Sequence, residues 1–294
     1  MNPRISVVMA SYNTKEDFLK EAVSSILSQS LPDFEFLIID DFSDIKVSKV
    51  LGNVKDERIF VHRNERNVGL TKSLNIGINL TTTNFIARMD ADDISAVGRL
   101  ASQYKWLKNN KDYALLGSDV EVIDEQGRKI KDKIRQHDHN SVGFYSYKNN
   151  PFVHSSIMFK KDCFLKIGGY DNYYRYAQDY DLCGRFIDNF KCMNIPELLL
   201  KWRDSKNGIS SRKVNEQTAF ADEIVVKRLY KNFPEFMNID KQIVLSIRRN
   251  KVVSKNCSII GSIIKRLVDK YDSDYSRSYY KEFKNKFGNY REVL

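Results

Sequence analysis

The 294-residue sequence contains no run of eighteen apolar residues, so no segment is expected to cross a membrane as a helix. It also lacks the apolar stretch of a secretory leader, because residues 1–4 lead straight into a strand-like segment. Cysteine is scarce: Cys163, Cys183, Cys192 and Cys257 include no Cys-x-x-Cys pair, which argues against a zinc site or a disulfide framework. The expected compartment is therefore the cytoplasm. Internal repeats and low-complexity tracts are absent too. What remains is ordinary globular composition, 42% hydrophobic and 29% charged, in a chain long enough to bury a sizeable core.

The formal charge of +10 is unevenly distributed. Residues 212–294 carry 18 Lys/Arg against 10 Asp/Glu, whereas residues 1–211 carry 30 against 28. A basic C-terminal region suits an anionic surface. The near-neutral front argues against a nucleic-acid-binding protein, which needs basic and aromatic residues across its main domain.

Patterning in the front half is that of an α/β protein. Ile5-Ser6-Val7-Val8-Met9, Phe36-Leu37-Ile38-Ile39, Ile59-Phe60-Val61 and Phe85-Ile86-Ala87-Arg88-Met89 read as buried strands. Between them, Phe18, Leu19, Ala22, Val23 and Ile26 keep helical spacing after a Thr14/Asp17 capping box, and Leu74, Ile78 and Leu80 mark a second helix. Strands alternating with helices predict a parallel sheet flanked by helices. Further on, the pattern predicts a hairpin about Gln126-Gly127, a strand over 152–159, a short helix over 161–167 stopped by Gly168-Gly169, a helix over 178–189, and strands over 192–195 and 198–203. Beyond Ser211 the chain reads as helical and basic, with Ile260, Ile263, Ile264, Leu267 and Val268 in one stripe.

Two of the strands run into acid, at Asp40-Asp41 and at Asp90-Ala91-Asp92-Asp93. In open α/β sheets ligands bind outside the carboxyl ends of the strands, which places a site near Tyr12, Asp41 and Asp92. Asp-x-Asp occurs three times, at Asp90/Asp92, Asp179/Asp181 and Asp272/Asp274. The last lies in a polar tail and reads as solvated surface. Asp90-Ala91-Asp92 follows an apolar strand, where a pair of carboxylates suits Mg²⁺ or Mn²⁺ shared with a substrate pyrophosphate. A helix N-cap by Asp92 or Asp93 is the plainer alternative.

The ordered set of motifs resembles the family 2 glycosyltransferases, GT-A-fold enzymes of bacterial capsule, O-antigen and teichoic-acid synthesis. The matching segments are Val7-Val8-Met9-Ala10-Ser11-Tyr12-Asn13, Ile38-Ile39-Asp40-Asp41-Phe42-Ser43, Asn67-Val68-Gly69 with Asn75-Ile76-Gly77, Ala87-Arg88-Met89-Asp90-Ala91-Asp92-Asp93, Val153-His154-Ser155-Ser156, Gly168-Gly169-Tyr170 and Gln178-Asp179-Tyr180-Asp181-Leu182. The resemblance covers about residues 4–211 and implies a GT-A catalytic domain over 1–211, followed by a helical basic region over 212–294. It implies an inverting, metal-dependent transfer of a sugar from a nucleotide-sugar, UDP-linked by expectation, to a saccharide or lipid-linked saccharide. Ala10, Tyr12 and Asp41 would line the base pocket, while Asn67, Asn75 and Ala91 would bind nucleotide or donor sugar. Asp90 would sit near the ribose, Asp92 would bind Mn²⁺ or Mg²⁺, and Asp179 would be the general base. An inverting transfer needs one carboxylate for the acceptor proton and a separate metal for the leaving group, so two acidic stations are expected.

The sequence departs from the family pattern in places. Gln178 stands for the commoner Glu, Leu74 for an Arg, and Ser205 for a His in Trp202-Arg203-Asp204-Ser205; Arg203 and Ser210 remain as expected phosphate contacts. His154 is expected as a hydrogen-bonded core histidine, His137-Asp138-His139 as a solvated turn, and Trp106, Tyr173, Tyr174 and Tyr176 as packing aromatics or sugar platforms. The 260–268 stripe, flanked by Lys265, Arg266 and Lys270, either packs on the catalytic domain or lies on anionic lipid at the inner face of the plasma membrane. A sugar nucleotidylyltransferase is the rival enzyme class, but no Gly-rich triphosphate loop follows the first strand.

Overall fold

A computed structural model of the chain describes residues 2–52, 54–205, 213–249 and 256–287. In chain order the first half comprises β1 (Ile5–Ser11), α1 (Glu16–Leu27), β2 (Phe34–Asp40), α2 (Val47–Leu51), β3 (Ile59–Arg63), α3 (Leu70–Leu80), β4 (Phe85–Asp90), β5 (Ile94–Ser95), α4 (Arg99–Asn109), β6 (Tyr113–Ile123) and β7 (Lys129–Lys133). Then follow α5 (His139–Tyr145), a 3₁₀ turn (His154–Ser156), β8 (Met158–Lys160), α6 (Lys161–Lys166), α7 (Gln178–Asn189) and β9 (Lys191–Arg203). The strands form one sheet in the order β3-β2-β1-β4-β8-β6-β9-β5, with β7 on β6.

The first four strands are parallel, as βαβ connections require. Beyond β4 the sheet is mixed rather than wholly parallel. β8 pairs antiparallel with both β4 and β6, β9 runs parallel to β6, and β5 and β7 pair antiparallel. The short Gln126-Gly127 connection leaves β7 only a hairpin geometry. The result is the GT-A type of fold expected from the motifs.

Three local expectations are corrected. No Thr14 capping box forms: α1 starts at Glu16 without a side-chain cap, and the Thr14 hydroxyl meets that of Ser11 at 3.0 Å. The strand expected over 152–159 is mostly turn, because the Ser156 N–H and hydroxyl both donate back to Val153 O, at 2.9 and 2.8 Å. The two strands expected after residue 191 are one, β9, with register shifts opposite Ser118–Val120.

Each sheet face buries its own core. Val7 and Met9 point into the layer of α1, α2 and α4, whereas Val8 and Ile86 point into a layer with α3, α5, α6 and α7. This second layer continues into four C-terminal helices, α8 (Val214–Asn232), α9 (Lys241–Arg249), α10 (Cys257–Lys270) and α11 (Asp274–Phe287). Ile260, Ile263, Ile264 and Leu267 are buried in the same cluster as Phe144, Tyr147 and Phe186, so the apolar stripe is spent on internal packing. A buried ion pair, Arg228 to Asp188 at 2.8 Å, fastens α8 to α7. Among the described residues no helix is long and apolar enough to cross a membrane.

The closeness of that docking generates a test. Tyr271, at the end of α10, lies so near α5 that a Cβ on Gly143 would fall 2.2 Å from its ring. Gly143→Ala is expected to lower stability by about 1–3 kcal/mol through overpacking. In urea unfolding the midpoint should fall with little change in slope; an unchanged midpoint would mean that the C-terminal helices shift without cost.

Candidate active site

The site is assembled where β1, β2 and β4 leave the sheet. Register sets Ala10 opposite Ile39 on one side and Asp90 on the other, so the ends of three strands meet at one edge. Beyond them the chain turns sharply: Asn13 and Phe42 adopt φ of 50° and 68°, in the left-handed region. The two turns are tied together, the Asn13 amide exchanging bonds with Asp44 at 2.8 and 3.1 Å while its N–H donates to Ser43 Oγ at 3.1 Å. Tyr12 projects from this edge, 53% exposed. Asp40 is the brace beneath. Burial would raise its carboxyl, but N–H groups of Ser43 and Val47 and the Arg63 guanidinium outweigh this and hold it below the usual range.

Asp41 is only 2% exposed, and its carboxylate organises the following loop. It accepts from Asn64 Nδ2 at 2.7 Å and from the N–H groups of Val68 and Gly69 at 2.9 and 2.8 Å. Asn67 donates to Asp41 O at 3.2 Å. Thus Ala10, Tyr12, Asp41 and Asn67 are brought together, with Asp41 first of all the anchor of residues 64–69. Asn75, expected as a donor contact, makes two internal bonds. Its amide donates to Tyr170 O at 2.9 Å and accepts from Tyr170 N at 3.1 Å, so each end helps fix a segment 95 residues away. Gly168 and Gly169, with φ of 85° and 69°, make the turn that delivers Tyr170 there.

After β4, one carboxylate oxygen from each of Asp90, Asp92 and Asp93 lies within 4.8 Å of the others. Neither Asp92 nor Asp93 caps a helix, since α4 begins at Arg99 behind Gly98. Asp93 is buried and internally bound, accepting from Ser155 Oγ and, at 2.8 Å, from Arg203 N. Burial, with Asp90 and Asp92 alongside, pushes its carboxyl well above the usual range. Burial and Asp90 likewise push Asp92 up to about 6, against the pull of Arg88 and Arg203. Arg88, 2% exposed between Ala87 and Met89 of β4, forms an ion pair with Asp90 at the end of the same strand.

Arg203 is not a free phosphate contact. Its side chain donates to Asp92 O at 2.8 Å, Asp124 O and Glu125 O at 3.2 and 3.1 Å, and Glu21 at 2.6 Å, and it stacks on Phe18. Four of its five N–H groups are therefore consumed in holding the loop that carries Asp92. Ser205 donates to Glu125 at 3.4 Å, Ala91 is buried, and Ser210 lies outside the described residues.

Asp179 stands at the second position of α7, where free N–H groups face a carboxylate. Burial raises its carboxyl, opposed by the Tyr180 N–H, by Arg88 and by the Asn150 amide, which donates to Oδ2 at 2.8 Å. Beside it Gln178, 6% exposed, leaves Oε1 without a hydrogen-bond partner among the described residues. His154 meets the Tyr170 hydroxyl at 2.6 Å; burial and then Arg88 push its imidazole well below the usual range, so it is a neutral, hydrogen-bonded histidine.

The 137–139 segment is no solvated turn. His137 pairs with Asp119 at 3.0 Å, Asp138 caps α5 through Ser141 N, and His139 accepts from Cys192 N at 3.3 Å. Trp106 packs edge-on against Tyr113, and Tyr173 and Tyr174 pack against Phe220 of α8. Four residues of the site had no role assigned from sequence: Arg88, Asn64, Asn150 and Ser155. Only Arg88 carried a signal, a cation flanked on both sides by the apolar residues of β4.

Residues 6–167 match the profile of the family described as Glycosyl transferase family 2. An uncharacterized glycosyltransferase of Methanocaldococcus jannaschii is 36% identical over 80% of this chain and 82% of its own length. The O-antigen biosynthesis glycosyltransferase WbnJ of Escherichia coli is 34% identical over 68% of this chain and 79% of its own. A UDP-Gal:alpha-D-GlcNAc-diphosphoundecaprenol beta-1,3-galactosyltransferase of Escherichia coli is 34% identical over 71% and 78%. The fold is shared with S. aureus TarS 1–349 in complex with UDP-GlcNAc, at 15% identity, a TM-score of 0.62, and coverage of 98% of this chain and 93% of that one. A match over more than half the chain, on the very strands that converge on Asp41 and Asp92, leaves one assignment: the chain belongs to glycosyl transferase family 2 and is a glycosyltransferase.

Proposed function

We propose that this glycosyltransferase moves a sugar from a UDP-sugar to a hydroxyl of a saccharide or lipid-linked saccharide, with inversion and with Mn²⁺ or Mg²⁺, in bacterial surface-polysaccharide synthesis. One observation carries the reading. Three carboxylates converge at the end of β4, while a fourth, Asp179, stands apart on α7 with its own hydrogen-bond support. Relatives named for UDP-galactose transfer and for O-antigen synthesis support the donor and the pathway class.

The residues fit a hard divalent cation. Carboxylate oxygen is its preferred ligand, and Asp92, pushed up to about 6 by burial and by Asp90, is a group whose charge a cation would relieve. Asp92 and Asp90 would hold it, since Asp93 is taken by Ser155 and Arg203 N. When bound, the cation supplies Lewis-acid stabilisation of charge on the departing nucleoside diphosphate. Ala10, Tyr12, Asp41 and Asn67 form the edge that receives the nucleotide. Asp179 takes the acceptor hydroxyl proton as the new bond forms at the anomeric carbon and the bond to the phosphate oxygen breaks on the opposite face. Residues 1–211 form the catalytic part under this reading and residues 212–294 the helical support.

Purified protein offered UDP-, GDP- and dTDP-sugars with Mn²⁺ should release UDP. Asp179→Asn should cut turnover by about a hundredfold or more while UDP binding persists, because base catalysis contributes about 10²–10⁴. Turnover unchanged in that variant would remove the base assignment.

Cation uptake should depend on pH with a definite sign. Asp92 titrates near 6, above the ordinary carboxyl value, so ionising it costs stability at neutral pH and a cation offsets that cost. Protons compete below that point, so Mn²⁺ affinity by calorimetry should be about tenfold weaker at pH 5 than at pH 7. Equal affinity at both would remove Asp92 from the ligand set.

Attachment to the inner face of the plasma membrane would rest on the Lys and Arg of residues 212–294, because the apolar stripe is buried. The full chain should sediment with phosphatidylglycerol vesicles, not phosphatidylcholine vesicles, and be released by salt. Binding equally to both vesicle types, or to neither, would end that reading.

A further inference from the structure

We propose that Asn150 is a positioning residue for Asp179, its carboxamide holding one oxygen of the carboxylate that receives the acceptor's proton. The proposal rests on the assignment of Asp179 as base and adds the group that orients it. Asn150 Nδ2 donates to Asp179 Oδ2 at 2.8 Å, and at the other end of the same carboxamide Oδ1 accepts the Phe152 N–H at 3.1 Å. A carboxylate can only accept and a backbone N–H can only donate, so a single orientation of the amide satisfies both. The side chain is thereby locked with its NH₂ toward Asp179.

The backbone behind it is pinned as well. The Asn150 N–H donates to Asn149 Oδ1 at 2.8 Å. Arg135, just beyond β7, donates from Nε to Pro151 O at 2.9 Å and from Nη2 to Asn150 O. Asn194 of β9 donates from Nδ2 to Pro151 O and to Gln136 O, at 3.2 and 2.8 Å. Arg135 is itself held, its N–H donating at 2.7 Å to Asp119, which also pairs with His137. The loop is thus fixed to the sheet on two sides, and the carboxamide it carries is a rigid donor.

Among the described residues, the charged and titratable groups facing Asp179 are Arg88 on β4, Tyr170 beyond the Gly168-Gly169 turn, and Cys183 one turn along α7. Burial pushes the Asp179 carboxyl up, whereas the Tyr180 N–H, Arg88 and the Asn150 amide pull it down. Asn150 is the side chain that donates a hydrogen bond to it. The bond therefore favours the ionised form, which is the form that can take a proton.

Asn150→Asp separates a structural role from a positioning one. The substitution keeps an oxygen for the Phe152 N–H, so the turn survives, but it replaces the donor with a second carboxylate beside Asp179. With the UDP-sugar that turns over in the panel, kcat at pH 7 should fall about tenfold or more while KM stays within about twofold. The acid limb of kcat/KM should move to higher pH. A measurement without substrate stands beside this: the ¹³C carboxyl signal of Asp179, assigned by its loss in Asp179→Asn, should titrate at higher pH in Asn150→Asp and Asn150→Ala than in the wild type. A dead Asp179→Asn beside an Asn150→Asp of unaltered kcat, pH profile and carboxyl titration would overturn the positioning role alone. Wild-type turnover in Asp179→Asn would overturn the base assignment, and the proposal with it.

Discussion

The buried guanidinium of Arg88 is the charge on which the candidate site depends. Asp90 pairs with it directly, and its field also lowers Asp92 and Asp179 against the burial that raises them. Carboxylates gathered at a sheet edge repel one another, and each pays for lost solvent; without a cation among them they would be held protonated. Arg99 shows the opposite solution. It is fully buried with no carboxylate partner among the described residues, donating to Arg88 O at 2.7 Å and Ile157 O at 3.2 Å, and burial, with Arg88 nearby, pulls it down to about 9. One arginine balances the acids; the other stitches β4 to the segment leading into β8.

What the sequence shows clearly is where a short-range rule suffices. Apolar runs mark β1, β2 and β4, the last two running into acid, and the helical period of 178–189 coincides with α7. The mixed half of the sheet was not legible, because β8 is three residues long and β6 and β9 bend through register shifts that no periodicity encodes. Long-range polar partnerships were equally hidden. Asn75 to Tyr170 and Arg203 to Glu21 join residues 95 and 182 positions apart, and nothing local distinguishes such a side chain from one that awaits a ligand. Both are expected from sequence as substrate contacts, and in the structure both make these internal bonds.

The C-terminal region illustrates the same limit at larger scale. An amphipathic stripe reports that a helix has an apolar partner, but not which one. Here Ile260, Ile263, Ile264 and Leu267 meet the layer built on Phe144, Tyr147 and Phe186, while the Arg228–Asp188 pair fastens α8 to α7. Arg228 is buried, but Lys265, Arg266 and Lys270 beside the stripe are exposed, so the stripe packs inward while these charges face outward.

Gln178 shows how one departure from the family pattern follows from the same electrostatics. The residue is buried beside Asp179, and its Oε1 has no hydrogen-bond partner among the described residues. A glutamate there would place a second carboxylate in a site whose burial already raises Asp179, and like charges would raise both further. Glutamine keeps the shape and removes the charge, at the cost of an unpaired carbonyl. The next acid along α7, Asp181, has been neutralised separately by Arg185 at 2.5 Å. Among the described residues, the first turn of α7 therefore presents a single carboxylate without a cationic side chain bonded to it, held by an amide rather than a cation. If Asp179 is the base proposed above, it has both features a base needs: a partner strong enough to orient it, and too weak to claim its proton affinity.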